Sequence, residues 1–487
     1  MRLEQLLENV DYTLCQGTLS QNVMSVDYDS RKVKQDSLFV CISGANVDGH
    51  DFIEEVIAKG ARVIVMTRDV PMHEGITYIK VKDERIALAL VSCAFYNHPS
   101  KQLCVIGITG TKGKTTSSLM VKSILEKAGK KVGIIGTNGT FIGDVHEPTS
   151  NTTPESHELQ RIMHKMVEAG CEYCVMEVSS QGLKLHRVEG IDFDFGIFTN
   201  LSPDHIGPNE HASFEEYKEC KKHLFSLCKI GLFNKDDAYF EEMIKDVPCQ
   251  VKTYSLKQTA DLEAYHLDLY QRNGKMGISF ATRGMVEGDF IVNMPGFFNA
   301  YNALVAIMIA HEIGVGKEDI INALARVQVL GRGQVMDVSE EYTVIIDYAH
   351  NGVSFESIIS TVEQYHPERL LVVYGCGGKR SPTRRKECGE TVAKHHGYSI
   401  LTADNPRGEK VREICEDIAE AIKANGGAYE IIEDRKEAIY KTLDAARKGD
   451  VVLLLGKGHE TYQIGEDEKK THFSETEVIE DYKRERA

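Results

Sequence analysis

The chain has no apolar run close to the roughly 18 residues that a membrane-crossing helix requires. The longest, Ala303–Ala310, stops at His311 and Glu312. The opening residues MRLEQLLENV carry acids and lack an apolar core, so no secretory signal is expected there. Basic residues are outnumbered: 57 Lys and Arg against 73 Asp and Glu leave a net charge of −16. That balance excludes a general nucleic-acid or anionic-membrane surface. An anionic ligand would need local clusters of basic side chains and backbone N–H groups. No internal repeat or low-complexity tract is visible. A disulfide framework is not expected either. The 12 cysteines are scattered over 487 residues, which fits free thiols in a reducing cytoplasm. One Cys-x-x-Cys exists, Cys171 and Cys174, with no second pair at zinc spacing; core thiols are the expectation.

What is present is a repeated strand–helix rhythm over a length that suits about three domains. Residues 1–98 mix short strands (SLFVCISG, RVIVMT) with a helical stretch (HDFIEEVIAKGA), and YNHPSKQ at 96–102 punctuates their end. At 103–108, LCVIGI reads as a buried strand, followed by a Gly-rich loop and a helical pattern with apolar residues at 120, 121, 124, 125 and 128. Strands alternating with helices predict a parallel sheet covered on both faces. The alternation restarts after VLGRGQV (329–335), with strands expected at 343–347, 369–375, 398–404 and 451–456. The expected architecture is α/β with three domains. Residues 1–98 form the first, 99–330 a central phosphate-loop parallel-sheet ATPase domain, and 331–487 a Rossmann-like domain.

The segment GITGTKGKTT (107–116) follows a strand and opens a helix, the context of a phosphate-binding loop. Backbone N–H groups and the helix N-terminus make an anion nest there. Lys114 can reach the β- and γ-phosphates, and the Thr115 hydroxyl can hold Mg²⁺. The usual G-x-x-x-x-G-K-[ST] spacing is not met, since five residues separate Gly107 from Gly113. The alternative is a Gly-rich strand–helix turn without a ligand. Glu177 ends the apolar strand run YCVME, and Asp204 and His205 follow the apolar run FGIF. Acids and a histidine at strand ends facing a phosphate loop suit a metal; alone they would be ordinary surface groups. The helix FEEYKECKKHLF carries three lysines, which normally means a solvated face.

In the last third, IIDYAHN, YGCGGKRSPTRRK, DNPR and GKGHE each follow a predicted strand at its carboxyl end. Doubly wound sheets bind ligands there. Arg385 and Arg407 suit carboxylates and Asp404 and Glu460 suit ammonium groups, so a partner with both charges, such as an amino acid, fits.

Together these motifs resemble the Mur ligase family, the ATP-dependent amino-acid ligases of peptidoglycan precursor synthesis. TGTKGKTT is similar to that family's own phosphate loop, which accounts for the spacing. DSR (29–31) with DGHDFI (48–53) resembles the UDP-binding domain of the members that add the third and fourth peptide residues, and NTTPES (151–156), EVSSQGLKLHRV and GKGHE are similar to those that add the third. The resemblance runs over essentially the whole chain. It implies ATP phosphates on Gly110, Thr111, Lys112, Gly113, Lys114, Thr115 and Thr116, with Asn299, Asn302, Arg332 and Asp347 also at the nucleotide. It implies Mg²⁺ on Thr115, Glu177, His205 and a carbamylated Lys221, with Lys114, Glu177, His205 and Lys221 in catalysis. Lys222 is adjacent, and the family register alone chooses between the two lysines. Ser30, Asn151, Thr152, Thr153, Ser179 and Arg187 would hold a UDP-muramyl-dipeptide. Arg385, Asp404, Asn405, Pro406, Arg407, Gly456 and Glu460 would hold the incoming amino acid.

The implied reaction phosphorylates a free D-Glu carboxylate, which is a poor electrophile until activated, and then lets an amine attack the acyl phosphate. VLGRGQV is the expected hinge for domain closure. A cytoplasmic monomer is expected. Arg407 favours meso-diaminopimelate, whose distal carboxylate it could pair, over lysine, the alternative within the family. A folylpolyglutamate synthetase-like ligase would lack the DSR…DGHDFI region and DNPR. A generic phosphate-loop kinase would need no amino-acid loops. A non-catalytic protein of this fold would have no use for Lys114, Glu177, His205 and Lys221 together.

Overall fold

The structure, a computed structural model, describes residues 1–44, 47–143, 145–204, 206–207 and 210–486. Two compact units emerge: residues 1–261 with 308–315, and residues 262–307 with 316–487. The boundary expected at residue 330 falls inside the second unit. The reason is packing: Met276, in the strand Lys275–Gly284, lies in one core with Val335, Ile345 and Leu453.

The first unit holds two sheets. The smaller runs in the order Tyr12–Gln16, Thr77–Val81, Val63–Met66, Ser37–Val40, Ser25–Asp27, parallel except at its first pair. The larger places Cys104–Thr109 between Phe193–Phe198 on one side and Tyr173–Glu177 then Val132–Gly136 on the other, all parallel. Such strands are buried on both faces and read as continuous apolar runs, which is why period-two alternation is missing from them. Fully burying one such side chain contributes about 1.5–3 kcal/mol. Glu177 stands beside Ile108 and Phe198 beside Thr109, so the strand ends that carry chemistry finish level with one another.

In the second unit the parallel strands Thr343–Asp347, Val451–Leu455, Leu370–Tyr374, Tyr398–Leu401 and Tyr429–Ile431 lie in that spatial order, and Gln334–Met336 caps the first antiparallel. The expected strands sit within a few residues of these. Two of the helices between them begin on side-chain caps: Asn351 accepts from Ser354 N–H, and Asp434 from Glu437 N–H. An antiparallel meander, Leu262–Arg272, Lys275–Gly284 and Gly288–Val292, belongs to the same unit. Among the described residues no helix is long and apolar enough to cross a membrane.

Candidate active site

The loop after Cys104–Thr109 feeds the helix Lys114–Lys127, whose N-cap is Gly113 at φ +88° with no side-chain cap. The helix therefore begins with backbone N–H groups that no side chain caps, the arrangement that receives an anion. Neighbouring strand ends hold the loop in shape. Asn200 accepts from Lys112 N–H at 2.9 Å and donates to Lys112 O at 3.0 Å, and the Thr199 hydroxyl donates to Lys112 O at 2.7 Å. Lys114 folds back to donate to Gly110 O at 2.8 Å.

Lys221 reaches the same carbonyl from the helix Phe214–Lys222, donating to Gly110 O at 2.9 Å. It is 2% exposed and lies 4.6 Å over the Tyr217 ring. Burial, then the Lys114 charge, hold its amine well below the ordinary lysine value. Lys222 is more exposed. The two adjacent lysines, left open by composition, are thus separated by position: Lys221 is the one at the phosphate loop.

Glu177 is 1% exposed at the end of its strand. Its carboxylate accepts from the Thr115 hydroxyl at 2.9 Å, the Thr137 N–H at 3.0 Å and the Thr137 hydroxyl at 3.1 Å. Thr115 and Glu177 are hard oxygen donors, the set that Mg²⁺ prefers. Gly136 makes room for them, because a Cβ there would stand 2.3 Å from Glu177 Oε1. Gly136→Ala should therefore displace the carboxylate and lower kcat by about 100-fold. Steady-state kinetics, with circular dichroism to verify the fold, will read this. His205 lies outside the described residues.

Thr152, Thr153, Ser179 and Arg187 converge beside Glu177. The Thr152 hydroxyl meets that of Thr137 at 3.0 Å, and Thr153 Oγ1 donates to Glu177 O at 2.9 Å and to Ser179 Oγ at 3.1 Å. Arg187 donates to Thr153 O at 3.0 Å and faces Glu155 at 3.5 Å. Asn151 is exposed. Ser30 adjoins a 330 Å³ cavity lined by Tyr28, Asp29, Lys32, His157 and Arg161.

In the second unit, Asn302 donates to Asn299 Oδ1 at 2.9 Å and Asn299 to Pro295 O at 2.8 Å. Asp347 accepts from Gly333 N–H at 2.7 Å, and Arg332 lies 5.3 Å over the Tyr348 ring. VLGRGQV runs directly into the sheet, and Gly331 packs on Gly458 and His459.

The loops after Leu370–Tyr374, Tyr398–Leu401 and Val451–Leu455 form one cluster. Lys457, fully buried, donates to Glu460 at 2.8 Å and to Asn405 at 3.1 Å, and Asn405 donates to Glu460 at 3.0 Å. Asp404 is 9% exposed, and its Oδ1 is buried with no hydrogen-bond partner, Lys457 Nζ standing 3.9 Å off. Burial raises its carboxyl above the usual aspartate range despite that cation. An unsatisfied buried carboxylate oxygen is suited to an ammonium group. Arg407 has left-handed backbone at φ +48°, uncommon for a non-glycine residue, and donates to Gly378 O at 3.5 Å.

Arg385 lies 2.7 Å from Asp417 and 2.6 Å from Glu409, and its Nε is buried with no hydrogen-bond partner. A Cβ built on Gly377 would be 2.7 Å from Arg407 Nη1 and 3.7 Å from Arg380 Cγ, so the two arginines flank one glycine. The motif YGCGGKRSPTRRK holds three other arginine and lysine choices, and only their partners separate them.

Sequence reading also passed over Arg435. It is fully buried, pairs with Glu475 at 2.8 Å, and donates to Ala403 O at 3.0 Å and Leu455 O at 2.7 Å. Those carbonyls precede Asp404 and Gly456, so this side chain sets the spacing of the two loops. Glu475→Ala would leave Arg435 buried and unpaired, and should cost about 3–5 kcal/mol of stability in denaturant unfolding.

The fold and the site define a class: a phosphate-loop α/β enzyme whose last domain presents amino-acid-like charges at the carboxyl edge of a second parallel sheet. Residues 22–96, 108–310 and 331–458 match the Mur ligase family catalytic domain, the Mur ligase middle domain and the Mur ligase glutamate ligase domain. The chain is 41% identical over 490 residues to the UDP-N-acetylmuramoyl-L-alanyl-D-glutamate--2,6-diaminopimelate ligase of Clostridium perfringens, covering 99% of each. It is 42% identical over 485 residues to ligase 1 of that name from Clostridium acetobutylicum, again covering 99% of each. A solved structure of a ligase of the same name superposes with a TM-score of 0.76 at 26% identity, covering 100% of this chain and 99% of that one. The chain belongs to the Mur ligase family. It is accordingly an ATP-dependent, amide-forming ligase.

Proposed function

We propose that this chain joins meso-2,6-diaminopimelate to the D-Glu carboxylate of UDP-N-acetylmuramoyl-L-alanyl-D-glutamate, using ATP, in peptidoglycan precursor synthesis. The observation that carries this reading is the mixed-charge cluster in the second unit: Asp404, whose buried Oδ1 accepts no hydrogen bond and has Lys457 Nζ 3.9 Å off, and Arg407 and Arg380 flanking Gly377 on the same edge. An amino acid with a second carboxylate matches that set better than lysine. The names of the full-length relatives agree with it.

The working division is 1–98 for the UDP end, 99–330 for ATP and 331–487 for the amino acid. Gly110–Thr116 cradle the ATP phosphates, with Asn299, Asn302, Arg332 and Asp347 at the rest of the nucleotide. Mg²⁺, held by Thr115, Glu177, His205 and a carbamate on Lys221, supplies charge neutralisation at the transferring phosphoryl. The Lys221 amine is buried beside the phosphate loop and biased towards its neutral form, the form that adds CO₂. The new N–C bond forms as a proton leaves, and a cation becomes an anionic oxygen donor. Lys114 counters charge on the phosphoryl group as it passes to the D-Glu carboxylate. Ser30, Asn151, Thr152, Thr153, Ser179 and Arg187 orient the UDP-muramyl-dipeptide. Asp404, Asn405, Pro406, Gly456 and Glu460 shape the ammonium end of the amino acid, while Arg385 and Arg407 take carboxylate. The enzyme works as a cytoplasmic monomer.

The test is product formation by the purified chain with ATP, Mg²⁺, the UDP-muramyl-dipeptide and meso-diaminopimelate. One UDP-muramyl-tripeptide should form per ADP and phosphate. ADP release without amide product, or ligation of glutamate to a folate, would overturn the assignment.

A further inference from the structure

His186, Glu189 and His223 form a group able to hold a metal ion, outside the residues assigned to ATP, the UDP-muramyl-dipeptide or the amino acid. Their ligand atoms all lie within 4.8 Å of one another. His186 Nδ1 is 3.5 Å and His223 Nε2 is 3.3 Å from Glu189 Oε2. Ligands at zinc bond lengths and tetrahedral angles stand about 3.3–3.5 Å apart. Two of the three separations already have that value.

The local structure also favours a ligand. His186 follows the helix Ser180–Lys184 in left-handed backbone, φ +52°, which turns its ring back towards Glu189 three residues on. Its Nδ1 is buried, with Glu189 Oε2 3.5 Å away. His223 enters from the turn His223–Ser226, which follows the helix bearing Lys221. The three side chains are half-buried, leaving a coordination position for water.

We propose that His186, Glu189 and His223 form a second metal site, of two imidazoles and one carboxylate, for a borderline divalent ion of the Zn²⁺ class. Nitrogen-rich donors select such an ion over Mg²⁺, which demands oxygen. The bound ion would tie the segment carrying Arg187 to the end of the helix carrying Lys221, and so brace two walls of the active site.

The test uses the full-length chain, stripped with chelator and held in saturating Mg²⁺. Zn²⁺ is titrated against a chromogenic chelator, and Co²⁺ is followed by visible absorption. The expectation is one Zn²⁺ equivalent that Mg²⁺ does not displace, with a Co²⁺ spectrum free of a thiolate charge-transfer band. His186→Ala, Glu189→Gln and His223→Ala should each weaken binding by about tenfold or more. Zn²⁺ should raise the melting temperature of the parent but not of the His186→Ala/His223→Ala double variant. Circular dichroism verifies that each variant is folded. No binding by the parent, binding of equal affinity by the folded double variant, or a thiolate band would each overturn the proposal.

Discussion

Lys221→Ala is expected to lower kcat by about 100- to 1,000-fold, the effect of removing one charge-stabilising group from a closed site. Lys221→Arg should lose as much. That comparison separates two roles for a buried lysine. If its amine served only as a cation near the phosphates, arginine would restore part of the rate, since its charge is permanent. A carbamate needs an amine that can be neutral, and a guanidinium does not provide one. The position supports the carbamate. Lys221 is 2% exposed, donates to Gly110 O, and sits beside a second ammonium at Lys114, so its charged form is disfavoured twice. Depleting CO₂ from the buffer should slow the parent and leave both variants unchanged. Full activity in either variant would remove Lys221 from the metal site.

Arg407→Ala should lower kcat/KM for meso-diaminopimelate by a comparable amount, about 2–5 kcal/mol for loss of one partner in a desolvated charge pair. That corresponds to about 30- to 4,000-fold. Activity with lysine, which has no second carboxylate, should be unchanged or improved. Relieving an unpaired arginine removes the penalty that lysine would meet in the parent. Arg385→Ala, which also removes the pairs with Asp417 and Glu409, should lower kcat/KM for meso-diaminopimelate and cost stability as well.

The ease with which different parts could be read from sequence follows from the range of the interactions. Parallel strands buried on both faces announce themselves as apolar runs, and Val451–Leu455 or Cys104–Thr109 need no partner to be seen. The loop after each strand is equally local, so DNPR and GKGHE stood out before any geometry was known. Long-range pairing was not legible. Arg435 meets Glu475 40 residues on, and Lys457 reaches back 52 residues to Asn405; nothing near either residue hints at its partner. Arg385 shows the same limit: its partners Asp417 and Glu409 lie 32 and 24 residues on, in a different helix and loop. The clamp of Thr199 and Asn200 on Lys112 likewise depends on sheet order, which puts Phe193–Phe198 beside Cys104–Thr109.

The central claim is that the cluster around Asp404 and Arg407 selects an amino acid with two carboxylates. The most direct measurement is kcat/KM for meso-diaminopimelate and for L-lysine, under the same conditions, with ATP and UDP-N-acetylmuramoyl-L-alanyl-D-glutamate saturating. A preference for meso-diaminopimelate of about 30-fold or more is predicted. A value for lysine equal to or above that for diaminopimelate would contradict it.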